Sequence, residues 1–319
     1  MLKKLMFFCL LLVVISCGEE DKREEEIAKI PVTVEVTRFD EKFARATADS
    51  LPGLKAQFPY LFPSEYPDSV WVAKMSDTIQ LELNKEVREE FSDFKDVKQE
   101  LHLLFQHIKY YFPETVIPEV ITLTSDVDYQ NKAVWANDLL LISLDTYLGK
   151  DHHFYIGIQE FLKKNFERSQ IIPDAAASFA ETVVPRPDSR IFLAHMIYYG
   201  KLLYLKDLLI PFKTDAEKIG YTEEELDWAK ANEEQIWRYF VERELLFETD
   251  SELYTRFLYP APFSKFYLQL DNESPAQLGQ YLGWQIVRQY MEETEGSLEE
   301  LLSTDAQTIF NKSNYKPKK

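Results

Sequence analysis

The sequence predicts an α+β fold that is predominantly α-helical, with a small N-terminal β-sheet followed by a helical bundle. Residues 30–39 alternate apolar and polar side chains, and short β-branched runs cluster between residues 119 and 144. Beyond Asp151 the chain carries helical spacing and capping signals throughout. Hydrophobic residues make up 45% and aromatic residues 14% of the 319, enough for one large core or two fused ones, so the bulk of the chain is not disordered. With no internal repeat, heptad run or linker, residues 27–319 read as a single domain.

The chain opens with Lys3 and Lys4, an unbroken apolar run from Leu5 to Ile15, and the small residue Ser16 directly before Cys17. A run this short is a signal-peptide core rather than a permanent membrane helix. The tetrapeptide Val14-Ile15-Ser16-Cys17 resembles a lipobox, in which a small residue fits beside the scissile bond and the thiol takes a diacylglycerol. Residues 1–16 are thus expected to leave by cleavage between Ser16 and Cys17, with Cys17 lipidated. Cys9 leaves with the signal, so the mature domain has no disulfide. Residues 17–26 read as lipidated cysteine and charged tether. The nine residues Gly18–Glu26 cannot bury apolar surface and reach about 30 Å when extended. Gly18, rather than Asp, after the cysteine points to a lipid-anchored place in the cell envelope at the outer membrane, facing periplasm or surface.

Loss of the leader takes 36 basic residues against 54 acidic to 34 against 54, a net of −20. Such a surface repels nucleic acid and anionic headgroups, so the membrane is reached through the lipid and no nucleic-acid partner is expected.

In chain order, residues 30–39 predict a half-buried strand, and a Pro-rich stretch follows with Pro52, Pro59, Pro63 and Pro67 among aromatic residues. From Val87, the positions Phe91, Phe94, Val97, Leu101, Leu104, Phe105 and Ile108 fall on one face of a helix that Pro113 ends. Short strands are expected at 120–123, 132–136 and 139–144, the last two joined by the turn Asn137-Asp138. A helix over Ile191 to Leu209 has Asp188 as candidate cap and Pro211 as stop. Capping boxes at Thr222/Glu225, Ser274/Gln277 and Ser297/Glu300 open further helices, the first running to about Phe247.

The sharpest candidate chemistry is Ala194-His195-Met196-Ile197-Tyr198-Tyr199 inside the 191–209 helix. A gluzincin-type zinc peptidase carries His-Glu-x-x-His at such a place, since residues one turn apart point at one metal while the glutamate activates water. Here Met196 stands where the base would be and Tyr199 where the second histidine would be. Methionine takes no proton from water, and a tyrosine of ordinary pKa near 10 is a poor zinc ligand. Glu242, on the next long helix, then reads as a partly buried acid. His152 and His153 diverge as neighbours, and His102 and His107 lie about 140° apart around their helix. No catalytic residue, metal or cofactor is expected, with His195, Tyr199 and Glu242 as remnants of a site. The alternative is a zinc-dependent metallohydrolase with an unconventional site of His195, Glu242 and one further acid.

The aromatic segment from Phe257 to Tyr267 holds Pro260 and Pro262 and precedes a helix carrying Gly279, Gly283 and Trp284. Prolines reduce the entropy lost on docking and aromatic residues dominate binding hot spots, so Phe263, Phe266 and Trp284 form a candidate partner surface. The plainer alternative is that the loop packs over the core while Gly279 and Gly283 admit a close helix approach. A ligand binder built here would show a deep apolar pocket near Phe263 and Trp284.

The lipoprotein start, the stretch 237–250 (Trp-Arg-Tyr-Phe-Val-Glu-Arg-Glu-Leu-Leu-Phe-Glu-Thr-Asp), the hexapeptide Ala261–Phe266 and the stretch Leu282–Arg288 together resemble the gliding-motility lipoprotein family GldB of Bacteroidetes. The resemblance spans nearly the whole mature chain. It implies a degenerate relative of predicted zinc peptidases, hence a zincin-like helical bundle. His195 to Tyr199 echoes that group's metal helix and Leu282 to Val287 its Gly-Tyr/Trp-x-Ile-Val helix. It further implies an envelope-anchored protein of the gliding machinery and the linked type IX secretion machinery, acting as a non-catalytic scaffold toward their proteins.

Overall fold

The computed structural model describes residues 22–269 and 271–318; the predicted signal, the Ser16–Cys17 cleavage site and residues 17–21 of the predicted tether lie outside the described residues. Residues 22–27 are helical, Ile27 is buried, and the Glu24 carboxylate reaches the His107 ring at 3.1 Å. The second half of the predicted tether is therefore folded onto the domain. One apolar side chain and one specific partner outweigh a composition that reads as solvated.

Four strands, β1 (Val36–Arg38), β2 (Glu119–Leu123), β3 (Ala133–Ala136) and β4 (Leu139–Ser143), form one sheet in the order β1-β2-β4-β3. β1, β2 and β4 run parallel, and β3 pairs antiparallel with β4. Asn137-Asp138 makes the expected two-residue turn, with Asn137 at φ 54°, a left-handed conformation that asparagine tolerates. Only the last third of the predicted 30–39 strand pairs with the sheet. The Gln106 side chain donates to the Ala28 and Ile30 carbonyls at 3.1 and 2.9 Å, meeting hydrogen-bond demands that a ladder would otherwise serve. Both sheet faces are covered, as in parallel sheets generally. Val120, Leu140 and Ile142 enter one core, and Ile121 with Leu139 and Leu141 enters another.

The second of these cores is aromatic and small. It is built by α1 (Phe39–Ala44), α2 (Leu51–Gln57) and α3 (Asp68–Ser76). Pro52 sits in the first turn of α2, where a missing N–H has no helical partner to lose. Phe39 meets Phe58 edge-on at 5.2 Å and Phe62 meets Trp71 at 4.8 Å, so the Pro-rich stretch is folded over the sheet.

The larger core over the opposite face receives α4 (Thr78–Glu90), α5 (Lys95–Tyr111) and α7 (Ile171–Val183), with α6 (Glu160–Lys163) a single turn between. The single helix expected from Val87 to Pro113 is two helices, broken at Phe91–Phe94. Asp93 accepts the Lys95 N–H at 3.0 Å, and Arg168 donates to the Glu90 and Asp93 carbonyls at 2.9 and 2.6 Å. A side chain distant in sequence thus satisfies the carbonyls that the break exposes, which apolar spacing does not register.

The C-terminal half is a helical bundle. It contains α8 (Phe192–Leu209), α9 (Asp215–Ile219), α10 (Glu223–Ala231), α11 (Glu233–Glu242), α12 (Glu252–Phe257), α13 (Leu278–Thr294), α14 (Leu298–Ser303) and α15 (Ala306–Ser313). The boxes at Thr222/Glu225 and Ser297/Glu300 form, and an unforeseen third forms at Thr214/Glu217. Three expectations fail. Asp188 does not cap α8, whose N-cap is Ile191 with its N–H served by the Ser189 hydroxyl. The helix from Thr222 stops at Ala231, where Asn232 donates its side-chain amide to the Trp228 carbonyl, and α11 restarts after it. Ser274 caps nothing: its hydroxyl donates to the Ser264 and Asp271 carbonyls, and α13 starts after Gln277, at φ 59°.

Candidate functional site

α8 is apolar around most of its circumference, with Phe192, Leu193, Met196, Ile197, Leu205 and Leu209 all buried, so it runs through the protein rather than over it. Its main partner is α13, which also buries nearly every residue from Leu278 to Val287. The two helices cross on glycines. A Cβ at Gly283 would lie 1.9 Å from the Met196 carbonyl oxygen, and one at Gly200 would lie 2.3 Å from the Gly283 carbonyl oxygen. The backbones touch, as the alternative reading of Gly279 and Gly283 required, and Met196 lies inside the crossing.

The three remnants of the expected metal site have different surroundings. The His195 ring, partly exposed, lies 4.5 Å from the Tyr254 ring. Burial pushes its pKa below the ordinary histidine value against a hydrogen bond at Ser189, so the ring is neutral at pH 7. Tyr199 packs against both large cores, and burial pushes its hydroxyl up to about 12, holding it in the protonated form that binds zinc poorly. Glu242 is exposed at the end of α11, which corrects its expected partial burial. Among the described residues no three His, Cys, Asp or Glu side chains come together as a metal ion would require.

The aromatic candidates are reassigned too. Trp284 is fully buried, Phe266 is 8% exposed and Phe263 is half-buried. The Trp284 indole N–H donates to Asp207 at 2.8 Å, and the Arg288 guanidinium stacks 3.7 Å from its ring centroid. Arg288 forks between Asp207 and Asp215, with contacts of 2.7 to 2.9 Å, while Lys218 reaches Asp207 at 3.1 Å. Against the desolvation that would raise it, Arg288 holds the Asp215 carboxyl below its ordinary value. These groups tie α8, α9 and α13 together. Arg288 lies in a resembling stretch, but no spacing rule could find its partners, about eighty residues away in sequence.

The loop between α12 and α13 packs down as the plainer alternative held. Phe266 meets Tyr239 and Phe257 edge-on, each at 5.0 Å, and its carbonyl accepts the Tyr239 hydroxyl at 2.8 Å. What stays open is a groove of about 350 Å³ along α11, walled by Trp228, Ile236, Tyr239 and Phe266, with Arg238, Glu242 and Asp271 among its polar edges. Leu268, 60% exposed, stands at its rim, and Tyr267 beside it in sequence is 58% exposed. Neither Phe263 nor Trp284, beside which a ligand binder would show a deep apolar pocket, lines this groove. Its signal in the sequence is the apolar series Trp228, Ile236 and Tyr239.

Fold and site together define an α+β protein whose would-be metal helix is a central packing element and whose open apolar surface lies on a neighbouring helix. The chain belongs to the family described as gliding motility protein GldB, whose family model matches residues 20–317. That membership associates it with gliding motility, and the family's lipoprotein designation agrees with a place in the cell envelope. No curated protein and no solved structure matches the chain. No helix among the described residues is long and apolar enough to cross a membrane.

Proposed function

We propose that the chain is a non-catalytic interaction protein, held by lipid at the outer membrane, that supports gliding motility and the linked type IX secretion machinery by binding another envelope protein. One observation carries the non-catalytic part: the position of the general base, Met196, is enclosed in a backbone-to-backbone crossing with Gly283, where no water could be activated. The α11 groove supports the binding part, because apolar walls edged with charges and an exposed leucine at the rim suit a protein partner.

The test combines cells and purified protein. Deletion abolishes spreading on agar, and complementation with His195→Ala restores it. Leu268→Arg, which places a charge at the groove rim, is expected to fail at unchanged protein level. Cys17→Ala releases the protein from the membrane fraction. Near-stoichiometric zinc in the purified chain, lost together with spreading in His195→Ala, would overturn the reading in favour of a metallohydrolase.

A further inference from the structure

The helix at residues 22–27 lies on α5. The Ala28 N–H donates to the Glu24 carbonyl at 2.9 Å, Ile27 is buried, Glu24 holds the His107 ring, and Gln106 binds the Ala28 and Ile30 carbonyls. Arg23 and Glu24 both act on the charge of the Tyr111 hydroxyl. Tyr111 ends α5 in the loop that leads to β2, and the chain from Ile30 leads into β1, so this face lies at the end of the sheet where the parallel strands start.

Two aromatic side chains are exposed on it. The Phe212 ring lies 6.5 Å from the His107 ring and is 39% exposed. Tyr110, on the turn of α5 after His107 and edge-on to Tyr111 at 5.0 Å, is 36% exposed. The charges beside them balance: residues 22–29 set Lys22, Arg23 and Lys29 against Glu24, Glu25 and Glu26, in a chain that is strongly acidic as a whole. Aromatic rings settle in the headgroup layer of a bilayer, and a neutral charge pattern suits headgroups that carry both signs.

The chain ahead of this face sets how far from a membrane it can stand. Only five residues, Gly18 to Lys22, carry the backbone from Cys17 to the start of the folded helix, and at full extension they span about 18 Å. The headgroup layer takes up about 6 Å of that reach. α5 alone, from Lys95 to Tyr111, is about 25 Å long, so a tether this short cannot let the molecule rest on its far end.

We infer that the face formed by residues 22–29, Tyr110 and Phe212 rests against a zwitterionic lipid surface, with both rings entering the headgroup layer. This rests on the lipid anchoring at Cys17 proposed above, and the two have separate readouts.

The mature chain has no thiol besides Cys17, so single introduced cysteines can be labelled with bimane on the full lipidated protein. The positions are Tyr110→Cys, Phe212→Cys and, as the distant control, Ile156→Cys. Ile156 is 84% exposed and follows Tyr155, whose hydroxyl donates at 2.8 Å to the Asp145 carbonyl just beyond β4, at the other end of the sheet. Each labelled protein is added to phosphatidylcholine vesicles containing a lipid with a nitroxide near its headgroup. The expected result is flotation with the vesicles and quenching at Tyr110→Cys and Phe212→Cys at least about threefold that at Ile156→Cys, because the length of α5 separates the two ends. Thermal melts confirm that the variants fold. Flotation without quenching at Tyr110→Cys and Phe212→Cys, or with quenching as strong at Ile156→Cys, overturns the inference and leaves the lipid anchoring standing. Failure of the lipidated chain to float overturns both.

Discussion

Gly283 and Met196 meet backbone to backbone, with room for a hydrogen but not a methyl group between the Gly283 α-carbon and the Met196 carbonyl. This contact fixes how closely α8 and α13 approach, and so how Trp284, one residue on, reaches Asp207 on α8.

Gly283→Ala should therefore destabilise the chain by at least about 3 kcal/mol, because the clashing atoms belong to helix backbone and cannot swing away. Urea denaturation followed by far-UV circular dichroism measures it. Gly53→Ala, whose added methyl would meet nothing within 4 Å, is the control and should be neutral or stabilising by about 0.5 kcal/mol. Equal effects at the two positions would contradict the crossing.

Acid should weaken the α8–α9–α13 junction through Asp215. Its folded pKa lies below the ordinary 3.8, so its contribution is fully present above about pH 4 and is lost as the pH falls through the lower folded value. Between pH 5 and 2 the wild type should lose more stability than Asp215→Asn, read as the shift in urea midpoint. Parallel curves would count against the Arg288 fork as the cause.

A slope of the same sign is expected in alkali. Burial pushes Lys206 and Lys201 down to about 8 from the ordinary 10.5. Between those values the unfolded chain binds more protons than the folded one, so stability rises with pH across roughly 8 to 10. Lys206→Met should reduce that rise, and adding Lys201→Met should flatten it further. Thermal melts at closely spaced pH values decide the matter, and an unchanged slope would refute the buried-amine account.

Glu233, 2% exposed, accepts the hydroxyls of Tyr281 and Tyr315, each at 2.8 Å, and the Lys318 N–H at 2.9 Å. Tyr315→Phe removes a donor to a buried carboxylate and should cost about 1.5 to 3 kcal/mol. It should also raise proteolytic sensitivity of the C-terminal residues, which this carboxylate pins. Limited trypsin digestion at unchanged rate in the variant would sink the prediction.

Much of the fold was legible where the determining physics is local. Short β-branched and apolar runs placed the strands around 120, 134 and 141, the turn Asn137-Asp138 joined the last two, and the Thr222 and Ser297 boxes opened their helices. Where a remote side chain intervenes, local reading failed. Arg168 closes a break inside the apolar series from Val87 to Ile108, Gln106 satisfies backbone ahead of β1, and Ser264 draws Ser274 away from a cap. For the same reason the candidate site was legible in kind but not in place. Trp284 was picked for its chemistry, yet its indole is spent inside the protein on Asp207 and Arg288.

What the sequence alone determined is the helical α+β class, the family resemblance and the absence of a complete His-Glu-x-x-His set, since each rests on residue identity and on neighbours within a turn or two. Only the tertiary structure decided which aromatic residues face solvent and that Glu242 edges a groove. Burial and hydrogen-bond satisfaction are set by groups tens of residues apart, and no periodicity along the chain encodes them.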